Sequence, residues 1–440
     1  MPTDPTKLVQ LSSHALVALL LALAIVVLTA RLFGEIARRF GQPAVLGEIG
    51  AGVLLGATVL GRLFPRTYQS LFPHEGPGAV VYNAHVQIAI ILFIVVAAME
   101  IDLGQVWRNR RRSAFVALSG LLVPFATGFA LAWWFTPWIQ GGSSIPRFSV
   151  ALFFATALSI SSLPVIIKTL LDLDLLGTDI GVVIVSSAIL DDFVGWILFG
   201  VVSSTIGGNA HTPGSSAILM LVYAAAMLTL GRRLLDRAFV YLGASGGSPG
   251  VFLGVSVALG LLGAATADLI GVHTIFGAFV VGVVVGRSEH LPASARTSLE
   301  QFATFLGAPL FFASVALHID FAANFDPLLV LGVFTIACVG KVVGCSLAAR
   351  ISGADARTAL AIGFGMNARG AMEIVLGRIA LELGIIDKRL FVALVVVALA
   401  TSALAGPVIR GALGPRLAGL TEAGRRSKGA LHSSERFTHA

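Results

Sequence analysis

The chain has 440 residues, 56% of them hydrophobic and only 12% charged, with a formal net charge of +7. Soluble domains carry about 25% charged residues, so this composition excludes an ordinary globular enzyme. Apolar runs recur along almost the whole length and read as a polytopic helical membrane protein of the all-α class.

In chain order the predicted elements are thirteen spans, at approximately 13–33, 43–62, 83–102, 113–137, 148–171, 179–205, 215–235, 249–267, 270–287, 302–321, 327–350, 357–384 and 388–411. The first is too long for a signal-peptide core and lacks a small-residue cleavage site, so it reads as a membrane helix. Basic residues gather in the odd-numbered loops and the C-terminal tail, among them Arg38, Arg39, Arg110, Arg111, Arg112, Arg232, Arg233, Arg425 and Arg426. Lys341, Arg369 and Arg378 lie deepest inside spans. Positive-inside bias then puts the N-terminus outside and the C-terminus in the cytoplasm, with a bacterial inner membrane as the expected location. The basic surplus is therefore topology, not a nucleic-acid footprint. Residues 1–412 read as one transmembrane domain and 413–440 as a short basic cytoplasmic tail. Gly243 to Gly250 is a flexible loop by composition. No strand–GxGxxG–helix unit follows the membrane region, so no nucleotide-binding regulatory domain is expected. Cys338 and Cys345 lie ~10.5 Å apart by helical rise, too far for a disulfide, and read as packing residues.

Two spans are interrupted. In the fifth, Pro164 removes a backbone donor in mid-membrane, and Ser159, Ser161 and Ser162 supply hydroxyls just before it. In the twelfth, Gly363, Gly365 and Gly370 weaken the helix around the polar Asn367-Ala368-Arg369 patch. Spans seven apart in order cross in opposite directions, and corresponding broken helices in two inverted halves point to a transporter binding site.

Asp191 and Asp192 sit mid-way along the sixth span, roughly 17–20 Å from either end of its apolar stretch. Neither can reach water across a hydrocarbon core about 30 Å thick. A charged Asp at that depth costs at least ~2.5–3.5 kcal/mol, so the pair marks a path for a proton, a cation, or both. Lys341 lies about 14 Å inside the eleventh span by helical rise and needs a carboxylate partner. Adjacent aspartates point ~100° apart on a helix, so one can face Lys341 while the other faces the ion route. Arg369 and Glu373, four apart, can pair locally, either neutralising the crossing or touching the ion. Glu48, and Glu100 with Asp102, fall near span ends and read as interfacial or helix-packing groups. His273 reads as a structural hydrogen-bonding group, and Asp268, His318 and Asp320 as boundary residues.

Four segments carry a resemblance: GQPAVLGEIGAGVLLG (41–56), SSAILDDFVGWIL (186–198), GVHTIFGAFVVGVVVG (271–286) and GFGMNARGAMEIVLG (363–377). In this order they resemble the monovalent cation:proton antiporter-2 family, which includes Kef-type potassium systems, plant cation/proton exchangers and Nap-type sodium/proton antiporters. The resemblance implies the sodium/proton antiporter fold, with inverted repeats, two crossed discontinuous helices and a homodimer. It implies that Asp192 is the ion- and proton-binding aspartate, assisted by Asp191 and Ser159. Lys341, in GKVVG, matches the lysine that pairs with the first aspartate in the Nap type, a set associated with electrogenic exchange. His273 and the Asn367–Arg369 motif look more like the Kef and plant branch, where potassium is often the substrate.

The expected function is a secondary antiporter exchanging Na+ or K+ for protons across the lipid bilayer, with no cofactor, no structural metal and no nucleic acid. The rival readings are a cation channel and a transport-inactive membrane sensor on the same helices. No selectivity-filter loop repeats and no HExxH-type set appears, which disfavours a channel and an enzyme respectively.

Overall fold

In a computed structural model, residues 12–73, 75–99, 110–135, 145–176, 178–204 and 213–417 are described, and every regular element among them is helical. The principal helices are α1 (Ser13–Arg39), α2 (Ala44–Leu55), α3 (Pro77–Met99), α4 (Arg110–Trp134), α5 (Arg147–Ser159), α6 (Leu163–Asp172), α7 (Asp179–Ser204) and α8 (Pro213–Ala226). They continue as α9 (Arg232–Ala244), α10 (Pro249–Leu269), α11 (Thr274–Gly286), α12 (Ala293–Phe302), α13 (Ala308–Leu317), α14 (Pro327–Ile351), α15 (Ala356–Met366), α16 (Ala371–Glu382) and α17 (Lys388–Leu413). Single π-helical turns, Met227–Gly231 and Ala303–Gly307, join α8 to α9 and α12 to α13.

Ten of the described helices, counted through such turns, are long and apolar enough to cross a membrane. The other expected spans are filled by shorter pieces: the α5/α6 and α15/α16 pairs, and α11. The chain is a multi-pass membrane protein. Boundaries depart from expectation where polarity hides a helix. The span expected at 302–321 begins at Ala293, because Arg296 and Glu300 depress hydropathy over α12. The span expected at 43–62 is continuous only to Leu55. There Gly56 turns extended against the carbonyls of Ala316 and Leu317. Glu100, Asp102 and most of the expected tail lie outside the described residues.

The chain forms two compact units. The first comprises residues 1–100 and 224–324. Here α2 is wedged between α1 and α13 at backbone contact. A Cβ on Gly47 would stand 2.0 Å from the Phe33 carbonyl oxygen, and one on Gly52 would stand 2.1 Å from that of Ala313. Only glycine permits that approach. Glu48, read from sequence as an interfacial or helix-packing group, is of the second kind, buried between these helices. The Tyr82 hydroxyl meets Ser314 at 2.7 Å, and Phe93 packs edge-on to Phe312. Arg62 forks onto Asp320, which places Asp320 at a helix end as expected. His273 caps α11 by accepting from the Ile275 amide, a structural role as expected.

The second unit comprises residues 101–223 and 325–440. Asp326 caps α14, accepting from the Leu328 and Leu329 amides, and pairs with Arg389 at the start of α17 at 2.6 Å. Asp387 caps α17 through the Leu390 amide. These caps satisfy donors that a helix start leaves open. Within this unit lie both interrupted helices and the aspartate pair.

Candidate functional site

The two interruptions meet. α5 ends at Ser159, and Ile160 and Ser162 are extended before α6 begins with Pro164 in its first turn, where a missing amide proton costs nothing. α15 ends at Met366, with Asn367 as its cap and Gly370 leading into α16. The Ser162 amide donates to the Ala368 carbonyl at 2.9 Å, joining one break to the other. Glycines make room for the crossing. A Cβ on Gly370 would sit 2.8 Å from Val165 Cγ2, one on Gly195 2.6 Å from Ile160 Cγ1, and one on Gly365 2.7 Å from Ile184 Cδ1. Gly363 abuts Ser346 in the same way.

The aspartates of α7 face this crossing. Lys341 of α14, fully buried, donates from Nζ to Asp191 Oδ2 and to the Ser159 carbonyl. Ser161 Oγ lies 2.9 Å from the same Asp191 oxygen and 2.8 Å from the Met366 carbonyl, so its one proton alternates between them. Asp192 is 4% exposed, and its Oδ1 receives no hydrogen bond. Lys341 engages Asp191 through Oδ2, as foreseen for one member of the pair, while Oδ1 of Asp191 and Oδ1 of Asp192 both lack a hydrogen bond.

Ser159 lies at this centre, yet its hydroxyl turns back to the Thr156 carbonyl at 2.9 Å. The serine whose hydroxyl contacts the aspartates is Ser161, while Ser159 meets the site through its carbonyl. The Ser162 hydroxyl has no partner and stands 3.1 Å from where a Gly370 Cβ would be.

Arg369 was legible as a buried charge beside Glu373; its carbonyl partners were not. Its guanidinium reaches the C-terminal carbonyls of α5, donating to Ala157 at 2.9 Å, to Leu158, and to Ile160 at 3.5 Å. Carbonyls at a broken helix end carry partial negative charge, and a fork of fixed donors satisfies several at once. Ser402 of α17 in turn donates to the Arg369 carbonyl. Glu373, in the first turn of α16, stands 3.6 Å from Arg369, close enough for charge but beyond a hydrogen bond. Asn367 donates to Cys338 Sγ at 3.3 Å and keeps its Oδ1 unpaired, a contact nothing in the sequence suggested.

The buried charged groups of this unit, among the described residues, are thus Asp191, Asp192 and Glu373 against Lys341 and Arg369. With all ionised the sum is one negative charge. Open carboxylate, hydroxyl and amide oxygens around it suit a hard monovalent cation.

Comparison with known proteins agrees with this geometry. A family model described as "Sodium/hydrogen exchanger, transmembrane" matches residues 20–413. The chain is 30% identical over 408 residues to Cation/H(+) antiporter 17 of Arabidopsis thaliana, covering 90% of this chain and 48% of that protein. It is 27% identical over 409 residues to the Na(+)/H(+) antiporter NhaS4 of Synechocystis sp., covering 91% of this chain and 98% of the relative. It is 26% identical over 397 residues to the Na(+)/H(+)-K(+) antiporter GerN of Bacillus cereus, covering 90% and 96%. The chain spans about half the length of the Arabidopsis relatives it matches. Among solved structures, the sodium proton antiporter MjNhaP1 of Methanocaldococcus jannaschii aligns with a TM-score of 0.64. The alignment has 14% identity and covers 92% of this chain and 99% of that one, a likeness of fold.

Proposed function

Because the chain belongs to the sodium/hydrogen exchanger transmembrane family, a family of transporters, we propose that it is a secondary antiporter. It exchanges a monovalent alkali cation, Na+ or K+, for protons by alternating access. The observation that carries this reading is a buried core with three carboxylates against two cations, in which Asp192 keeps an oxygen with no hydrogen bond. Isolated charge is costly away from water, so the core stays near neutrality by holding one proton or one alkali cation. Asp192 takes either. Asp191 is held by Lys341 and Ser161, and Arg369 quiets the end of α5. Occupancy by one species excludes the other, and this exclusion couples the two fluxes.

The names of relatives that carry Na+ and K+ support an alkali substrate. Electrogenic exchange, two protons against one cation, needs a second proton besides the one that Asp192 exchanges. Each pH unit then supplies ~1.4 kcal/mol per proton, and each 100 mV about 2.3 kcal/mol per net charge moved. The distribution of Lys and Arg supports an N-terminus outside and a basic tail, 413–440, in the cytoplasm, and the membrane in this reading is a bacterial inner membrane. The protein works there as a homodimer.

Reconstitution into liposomes with an imposed pH gradient and a lumenal pH dye tests the reading. Na+, K+, Li+ and choline are added in turn under a clamped potential. Collapse of the gradient by one alkali cation and not by choline is expected. Silence with every cation across about pH 6 to pH 9 would remove the proposal.

A further inference from the structure

Glu373 has no role in the exchange as described above, yet it is a fully buried carboxylate of the second unit. It is 1% exposed, and neither carboxylate oxygen receives a hydrogen bond. Its nearest cation, Arg369, is 3.6 Å away and spends its Nη donors on the carbonyls of Ala157, Leu158 and Ile160. A cation committed to a helix end compensates a neighbouring carboxylate only in part.

The surroundings add little. Lys341 and Arg369 are the cations whose fields reach Glu373, and Cys338 of α14 is the titratable neighbour. α17 contributes only the hydroxyls of Thr401 and Ser402 to the buried polar set, and Ser402 is bound to the Arg369 carbonyl. α5 contributes hydroxyls and the carbonyls already bound to Arg369. A dry carboxyl with no donors is accommodated far better with a proton than without one.

We propose that Glu373 is a second proton-binding group of the core, surrendering its proton when an alkali cation loads at the aspartates. The inference rests on the exchange reading above and extends it. With Glu373 protonated, the remaining Asp191, Asp192, Lys341 and Arg369 already sum to zero. An alkali cation arriving at Asp192 would leave the core one charge positive. Release of the Glu373 proton restores neutrality: the O–H bond breaks, the proton leaves to water, and the carboxylate remains. The proton on Glu373 and the cation at Asp192 are thus coupled through charge, in addition to the proton that Asp192 itself exchanges.

Two readouts on the full-length purified protein test this. The first is the apparent affinity for Na+ and for K+ across about pH 6 to pH 9, with choline as control. Each proton released on binding steepens its pH dependence by about tenfold per pH unit. Glu373→Gln is expected to lose one such step, and Glu373→Asp to keep it. A merely structural partner of Arg369 would shift affinity equally at every pH and leave the slope intact, which would overturn the proposal. The second readout is independent of mutant folding. In unmodified protein carrying carboxyl-labelled glutamate, infrared difference spectra should show a protonated glutamic acid band that bleaches when alkali cation is added. Comparison with Glu48→Gln separates it from Glu48, buried in the first unit. Absence of a bleaching band overturns the proposal. Failure of the exchange reading would appear separately, as no alkali-driven proton flux in the unmodified protein.

Discussion

Lys341 and Asp191, 150 residues apart in the chain, form a fully buried ion pair, and the Ser159 carbonyl shares the same ammonium. The lysine therefore bridges an acidic side chain and the end of a broken helix. Removing one partner leaves an uncompensated charge out of water, a loss of about 3–5 kcal/mol. Lys341→Met should lower the thermal midpoint accordingly. The double variant with Asp191→Asn should recover most of it, because the orphaned charge is gone. Equal midpoints for the single and double variants would show that the pair is not coupled.

Arg369 holds the carbonyls of Ala157, Leu158 and Ile160. Arg369→Met should destabilise by about 1–3 kcal/mol for each carbonyl left unsatisfied. Arg369→Lys keeps the charge but not the fork. It should keep more stability than Arg369→Met and still slow exchange, because α5 no longer ends where Asp192 needs it. Flux and melting curves from the same preparations check both.

Ser161 and Ser159 should differ in effect. The Ser161 hydroxyl meets Asp191, a bond to a charged group worth about 1.5–3 kcal/mol, whereas that of Ser159 serves its own helix. Ser161→Ala is expected to cut alkali-driven proton flux by about tenfold or more, and Ser159→Ala by much less. The reverse order would reassign the serines.

Outside the membrane, Asp326 gives a pH dependence of stability. The Leu329 amide, with help from Arg389 and the Leu328 amide, holds its carboxyl below the usual range. A lowered native value contributes stability above the unfolded value of about 3.9, and that stability disappears as pH falls through the native one. Melting temperature should therefore drop on acidification below about pH 4, and less steeply in Asp326→Asn.

What the sequence made legible was mostly what membrane burial makes expensive. Asp191, Asp192, Lys341 and the breaks at Pro164 and Gly370 stand out because an apolar solvent penalises them, and the structure brings them together at one crossing. The choice of Ser161 over Ser159 was hidden, since it turns on how extended backbone at Ile160 rotates successive side chains. The Arg369 contacts were hidden because backbone carbonyls have no residue identity to read. Whether Glu48 is interfacial or packs between helices was left open, since its burial depends on α1 and α13 closing over α2. The start of α12 was missed because hydropathy does not register an amphipathic turn.

The central claim is that Asp192 carries the exchange. Alkali-cation-driven proton flux in proteoliposomes, compared among unmodified protein, Asp192→Asn and Leu190→Ala, tests it most directly. Leu190 is on the same helix and only partly buried, so it controls for local disturbance of α7. Coupled flux should be lost in Asp192→Asn, with Leu190→Ala close to the unmodified rate. Coupled flux that persists unchanged in Asp192→Asn would contradict the claim.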